Sequence, residues 1–254
     1  MHDKSWEKIF KDSKMDKHNF DACPFTINAR DIKNICQDFK ETGEKEVRVL
    51  CKQDTRESRP QVFKDRGLFL LPRKNGEYLI VKGEGYVNIP EIKTEEIIYV
   101  SKLDFKLDTT SVGDSEMQHL DYAYAVSLIR TFMNDNSLIL TIRGRKYTPP
   151  FSFKIGQHKI STESVQTEVD AGYEGKDKLV LIEAKNGNST NTIIRQLFYP
   201  YRQWKSYTDK DVFTMFFEKH SDSYCIWQFT FDDEDDYNSI RLVKSGKYKI
   251  LERE

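Results

Sequence analysis

The chain has 254 residues, 38% hydrophobic and 32% charged, which supplies material for a real core and argues against a disordered chain. Its 40 Lys and Arg against 41 Asp and Glu give a formal net charge of -1. A globally basic surface is therefore excluded, and any polyanion site must come from local clustering of charge.

The 4 cysteines (Cys23, Cys36, Cys51 and Cys225) form no CxxC pair, and the 5 histidines form no HExxH. Structural zinc is disfavoured, and reduced thiols in a cytoplasmic protein are the simplest account. Met1 to Lys17 is charged throughout and lacks an apolar signal core. No run approaches the roughly 20 apolar residues of a membrane span.

Two regions are expected, residues 1–100 and 101–254, with a soft boundary between Pro90 and Asp114. In the first, Trp6, Ile9 and Phe10 have helical spacing. Asn28 is placed to cap a helix to about Phe39, with Ile32, Ile35, Cys36 and Phe39 as its apolar stripe. Val47 to Cys51 reads as a short strand. Phe69 to Pro72 and Tyr78 to Val81 flank Asn75-Gly76, a strong hairpin signal. Helices followed by a hairpin suit a winged-helix-like α+β module.

In the second region, Ser115 followed by Gln118 has the spacing of a capping box and opens a helix to about Met133. Its inward stripe is Leu120, Ala123, Tyr124, Ser127 and Leu128. Ser137 to Arg143 reads as a strand, Gly144 to Pro150 as a loop, and Phe151 to Ile155 as another strand. Val165 to Asp170 precedes a bend at Gly172, and Lys178 to Lys185 forms a central strand. Thr190 to about Tyr207 is helical, with Pro200 expected to kink or split it. Val212 to Phe217 and Tyr224 to Phe231 are further strands. The order implies a mixed sheet flanked by helices, an α+β or α/β arrangement.

The pattern with chemical content is Asp170, ending one strand, then Glu183-Ala184-Lys185, ending the next. Alternation along a strand puts Glu183 and Lys185 on one face. Ionised groups at the end of a buried strand need compensation. Two arrangements provide it: carboxylates binding Mg²⁺ through hard oxygen ligands, or an ion pair of Glu183 with Lys185 or Asp170. In the metal reading, Lys185 orients water or balances developing charge.

Asp170 with Glu183-Ala184-Lys185, followed by the helix segment Arg195-Gln196-Leu197-Phe198-Tyr199, resembles the PD-(D/E)xK nuclease superfamily. Glu168 to Glu174 together with Arg195 to Pro200 resembles a group of type II restriction endonucleases. The likeness covers roughly Ser111 to Trp204, and Val169 stands where the family name has proline. The resemblance implies a restriction-endonuclease-like mixed sheet flanked by helices. It implies Mg²⁺-dependent, sequence-specific cleavage of double-stranded DNA to 5′-phosphate and 3′-hydroxyl ends.

Carried over by position, Asp170, Glu183 and the Ala184 carbonyl are metal ligands. Lys185 activates water, and Gln196 supports Lys185 or touches a phosphate. Glu116, in the first turn of the earlier helix, is an additional ligand candidate, with Glu168 as an alternative. The family further implies a homodimer and a cognate DNA methyltransferase in the same system. Two rivals remain: a structure-specific repair or recombination nuclease, and a DNA-binding regulator with an inactive nuclease-like domain.

Arg143, Arg145 and Lys146 form a compact basic stretch suited to phosphates or guanine edges, and Arg195 joins them as a DNA contact. Lys52, Arg56, Arg59, Lys64 and Arg66 form a second basic concentration ahead of the hairpin. Solvated surface is the alternative for both. The acidic run Asp232 to Asp236 reads as a solvated loop. Phe213, Phe216, Phe217, Trp227 and Phe229 read as sheet packing, and Trp204 and Tyr207 as core or helix anchors.

Overall fold

A computed structural model describes residues 2–252. The first helix, α1 (Asp3–Asp12), buries Trp6, Ile9 and Phe10 on one face, as their spacing requires. Strand β1 (Phe25–Asn28) leads into α2 (Ala29–Ile35). Asn28 occupies the N-cap position without capping the backbone; its amide instead donates to Asp31 at 3.4 Å. The helix ends at Ile35, before Phe39, and of its stripe only Ile32 and Cys36 are fully buried.

The strand expected over Val47 to Cys51 is not formed. After α3 (Thr42–Lys45), residues Val47–Leu50 make a single helical turn, α4. Its apolar side chains at positions 47, 50 and 51 have i, i+3, i+4 spacing, and a turn of helix brings Leu50 into the core. Next, α5 (Gln61–Arg66) ends at Gly67, whose φ of 64° is the usual left-handed helix stop. The expected hairpin follows: β2 (Leu68–Lys74), the Asn75-Gly76 turn, and β3 (Glu77–Lys82). Pro72 is accommodated because β2 lies at the edge of the sheet ordered β1-β3-β2.

This hairpin is buried on both faces. Leu68, Leu70 and Ile80 pack with Trp6 and Phe63 on the helical side. Phe69, Leu71, Leu79 and Val81 pack into the core of the larger half. Each such side chain contributes roughly 1.5–3 kcal/mol on burial, so the hairpin ties the two halves firmly together.

The pairings part near Lys82. Strand β4 (Tyr86–Asn88) and strand β5 (Ile97–Val100), both before residue 100, pair with strands from the far end of the chain. The helix opening at Glu116 is N-capped as expected, with the Ser115 hydroxyl accepting from the Gln118 amide at 3.2 Å. It does not run through to Met133. It breaks into α6 (Glu116–Ala125) and α7 (Leu128–Met133) at Ser127, whose φ is 68°.

Strand β6 (Ile139–Tyr147) includes the residues expected to form a basic loop. Register irregularities and Gly144 at φ 78° let an edge strand continue through them. The hairpin β7 (Phe151–Ile155) and β8 (His158–Thr162) follows, its second strand unforeseen. Then come β9 (Gln166–Glu174), β10 (Lys178–Asn186), β11 (Asn191–Ile193) and α8 (Arg195–Lys205), with Pro200 inside the helix. Strands β12 (Asp211–His220), β13 (Ser223–Phe231) and the unforeseen β14 (Ile240–Leu251) complete the chain.

Among the described residues, seven strands form one mixed sheet, ordered β5-β14-β13-β12-β10-β9-β6. Helices α6 and α7 cover one face through Leu120, Ile129 and Phe132. Helix α8 covers the other through Leu197, Phe198 and Tyr201. Phe216, Phe217, Trp227 and Phe229 pack the sheet as expected, whereas Tyr207 is 63% exposed and outside the core, its ring set edge-on to Trp204 at 5.9 Å. No helix among the described residues is long and apolar enough to cross a membrane.

The bend expected at Gly172 is absent, and the glycine serves close packing inside β9. A Cβ there would lie 2.7 Å from the Ile142 Cβ of β6. Gly172→Ala is expected to destabilise the protein by about 1–3 kcal/mol, the usual cost of overpacking. Urea unfolding would check this, and a wild-type midpoint would refute the packing account.

Candidate active site

The antiparallel ladder between β9 and β10 ends at Ala171 opposite Ile182. Asp170 and Glu183 are the next residues on the two strands, where the strands separate. On its other side, β10 stays paired with β12 through Asn186. The separation leaves the Ala184 amide without a strand partner, and the Asp170 carboxylate accepts it at 2.8 Å. One carboxylate is thereby fixed beside the start of Glu183-Ala184-Lys185.

Glu183 and Lys185 share a face of β10, as alternation requires, and their side chains are in contact. Gln196, in the first turn of α8, donates to the same Glu183 oxygen at 2.7 Å and accepts from the Thr192 hydroxyl at 2.9 Å. Gln196 therefore supports Glu183, not Lys185 as expected. Glu116 is brought to the same place, accepting from the Asn186 amide at 2.8 Å. The ion pair anticipated as the alternative to a metal site is thus formed, but within a larger carboxylate cluster.

The electrostatics follow from burial. Glu183 is 8% exposed, and its carboxyl is pushed up to about 7 by desolvation, with Asp170 adding to the shift and Lys185 opposing it. Asp170 is also raised, first by burial and then by Glu116 and Glu168, against the Ala184 amide and Lys185. Burial alone would lower Lys185, but Glu183 and Asp170 hold its ammonium above the usual lysine range. A buried and a half-buried carboxylate facing one ammonium remain short of positive charge.

These side chains line a cleft of about 630 Å³ that also reaches residues of the N-terminal half. The β9–β10 end contributes Glu168, Asp170, Glu183 and Lys185, and the opposite wall contributes Arg48, Lys52, Gln53 and Lys74. Arg195, at the start of α8, lies between them, 3.7 Å from Asp54.

The other basic residues are placed differently. Arg145 lines the cleft but pairs at 3.2 Å with Glu168, its register partner across β6 and β9. Arg143 turns to Asp121 and Met117 on α6. Lys146 is exposed on β6 and does not line the cleft. Arg56 bonds to Asn88 at 2.6 Å and to the Tyr86 carbonyl at 3.1 Å, and Arg59 bonds to the Leu68 carbonyl at 3.0 Å. Both arginines thus brace residues of the N-terminal region against one another and do not line the cleft. The acidic run is exposed over Asp232 to Asp235, yet engaged, through Arg241–Asp232, Lys154–Asp233 and Arg202–Asp235.

Four contributors escaped the sequence reading. Arg48, Gln53 and Thr192 carry no local signal; Lys74 adjoins the Asn-Gly turn, a cue to the hairpin rather than to a cleft. Glu218 was also missed: it sits beside Lys185 in the sheet register, 1% exposed, and accepts from the Ser189 amide at 3.1 Å. It braces the loop that follows the lysine strand.

Among the described residues, no three His, Cys, Asp or Glu side chains gather closely enough to hold a metal ion unaided. The donor chemistry nevertheless fits a hard divalent cation. Asp170 and Glu183 are oxygen donors whose burial resists ionisation unless a cation compensates.

Residues 81–249 match a family model described as Domain of unknown function (DUF6997), and residues 3–80 match a second, described as Domain of unknown function (DUF6996). No curated protein and no solved structure matches the chain.

Proposed function

We propose that this chain, which belongs to the DUF6997 family, is a divalent-metal-dependent endonuclease that cuts double-stranded DNA in the manner of a type II restriction enzyme. One observation carries the reading: Asp170 from β9, Glu183 and Lys185 from β10 and Gln196 from α8 meet on one wall of a single cleft. The likeness to the PD-(D/E)xK superfamily assigns those same four positions to catalysis. A mixed sheet with α6 before the motif and α8 after it is consistent with that superfamily's fold. The order helix, strand, helices, hairpin, with sheet order β1-β3-β2, supports a winged-helix-like N-terminal module.

Mg²⁺ held by Asp170, Glu183 and the Ala184 carbonyl would supply Lewis acidity and a more acidic water. The chain's own groups do the rest. The Ala184 amide holds the Asp170 carboxylate, and Gln196, itself held by Thr192, fixes Glu183. Glu116 is an outer carboxylate at the same strand end. The Lys185 ammonium orients the attacking water and offsets charge developing on the phosphate. Oxygen from water bonds to phosphorus as the bond from phosphorus to O3′ breaks. The water gives up a proton, and O3′ takes one, leaving a 5′-phosphate and a 3′-hydroxyl. A two-fold recognition site would favour a homodimer.

The test is incubation of unmethylated phage or plasmid DNA with Mg²⁺, beside EDTA and Lys185→Ala controls. Discrete fragments lost in both controls are expected, and prior methylation of the site by a cognate methyltransferase is expected to protect it. Cleavage confined to branched or gapped DNA would move the reading to a structure-specific nuclease. Duplex binding that persists in EDTA, without cleavage of any substrate, would replace it with a DNA-binding regulator.

A further inference from the structure

The cleft has two chemically unlike walls. Of its carboxylates, Glu116, Glu168, Asp170 and Glu183 come from the larger half and Asp54 from the N-terminal half. Arg48, Lys52 and Lys74 come from the N-terminal half and face the same space. All three cations are exposed. Arg48 makes no ion pair among the described residues. Lys52 pairs at 3.9 Å with Asp54, and Lys74 at 2.5 Å with Glu163. Solvent weakens both pairs, so a phosphate can displace either carboxylate.

Gln53 supplies an independent observation. It lines the cleft at 2% exposure, and neither its amide nitrogen nor its amide oxygen has a hydrogen-bond partner. A buried primary amide normally has its hydrogen bonds satisfied. Both atoms are closed off from solvent, so the side chain meets a ligand by turning its amide toward the cleft that the residue lines. Their chemistry, one donor group next to one acceptor, complements a nucleobase edge, as with adenine's N6 and N7.

We infer that residues 48–53 and the β2–β3 turn form a nucleic-acid-holding wall, in which Arg48, Lys52 and Lys74 take backbone phosphates and Gln53 takes a polar edge of a nucleotide. This rests on the nuclease reading for the identity of the ligand, but concerns binding alone. It divides labour across the cleft: one wall grips the strand and the other presents its phosphodiester to the carboxylates.

Binding of a fluorescent DNA duplex in EDTA, followed by anisotropy at several salt concentrations, tests it without any cleavage step. The doubly substituted chain Lys52→Ala with Lys74→Ala should bind about tenfold more weakly at moderate salt. Its plot of log affinity against log salt should be flatter by roughly 1–2, the loss of about two phosphate contacts. Gln53→Leu should weaken binding with the salt slope unchanged. Because Lys52 and Lys74 are exposed, their removal spares the fold even if the Gln53 variant does not fold.

An unchanged affinity and slope in the lysine variant would overturn the inference, as would a wild-type chain that holds no duplex. An unchanged affinity in a folded Gln53→Leu chain would remove Gln53 from the wall. Weakened binding by a chain that cuts no DNA under any condition would leave the wall standing and overturn the nuclease reading instead.

Discussion

Alanine at Lys185 is expected to lower Mg²⁺-dependent cleavage of duplex DNA by about 10²–10⁴-fold, the range typical of a positioned proton-transfer or charge-stabilising group. The effect should fall on turnover, with metal-free duplex binding nearly unchanged, because the grip assigned to Arg48, Lys52 and Lys74 lies on the other wall. Two losses combine in this variant. The attacking water loses the ammonium that orients it, and Glu183 loses the charge that opposes its protonation. Lys185→Met keeps most of the side-chain stem and should be as inactive, which separates the charge from the packing. Lys185→Arg should recover little, since a planar guanidinium does not reproduce a compact ammonium beside Glu183. Cleavage within tenfold of wild type in the alanine and methionine variants would remove Lys185 from the chemistry.

The central elements of this site were legible because they obey short-range rules. Four aliphatic residues from Leu179 to Ile182 announce a buried strand, and alternation then puts Glu183 and Lys185 on one face. Ser115 announces a helix start, and Asn75-Gly76 a hairpin, each through a backbone preference local to a few residues. What failed depended on tertiary partners. Val47 to Cys51 is β-branched enough to suggest a strand, yet only a helical turn buries Leu50. Gly172 resembles a bend until Ile142 is known to lie against it.

The separation of β9 from β10, which frees the Ala184 amide for Asp170, is a property of sheet register that neither strand encodes alone. For the same reason Arg56 and Arg59 read as nucleic-acid contacts although their donors are spent on Tyr86, Asn88 and Leu68. Of the cleft's cationic wall only Lys52 belonged to a basic concentration evident in the sequence, because Arg48 lies in a helical turn and Lys74 at a hairpin tip, far from it along the chain.

The stability of the metal-free protein should fall as pH rises through the range from about 4.5 to about 7, and Mg²⁺ should restore it at the upper end. Glu183 fixes the sign. Its carboxyl titrates near 4.5 in the unfolded chain and is raised to about 7 in the folded one. Between those values the folded state holds the extra proton, so its contribution to stability is complete below 4.5 and lost as pH passes 7. The loss at pH 8 is on the order of 3 kcal/mol at most. Asp170, raised from 3.8, shifts in the same direction.

A divalent cation reverses the balance, because it binds only the ionised carboxylates. At a hundredfold excess over its dissociation constant, it would add about 2.7 kcal/mol. For a chain of this size that corresponds to a rise in Tm of roughly 5–10 °C. The shared core around β2 and β3 makes a single unfolding transition the expected readout. Thermal scans with Mg²⁺ and with EDTA, at pH 5 and pH 8, would show a large shift at pH 8 and a small one at pH 5, where protons compete. Asp170→Asn should abolish the shift at both. An equal shift in that variant would mean that the cation binds elsewhere, and with it the carboxylate pair would lose its place as the metal centre.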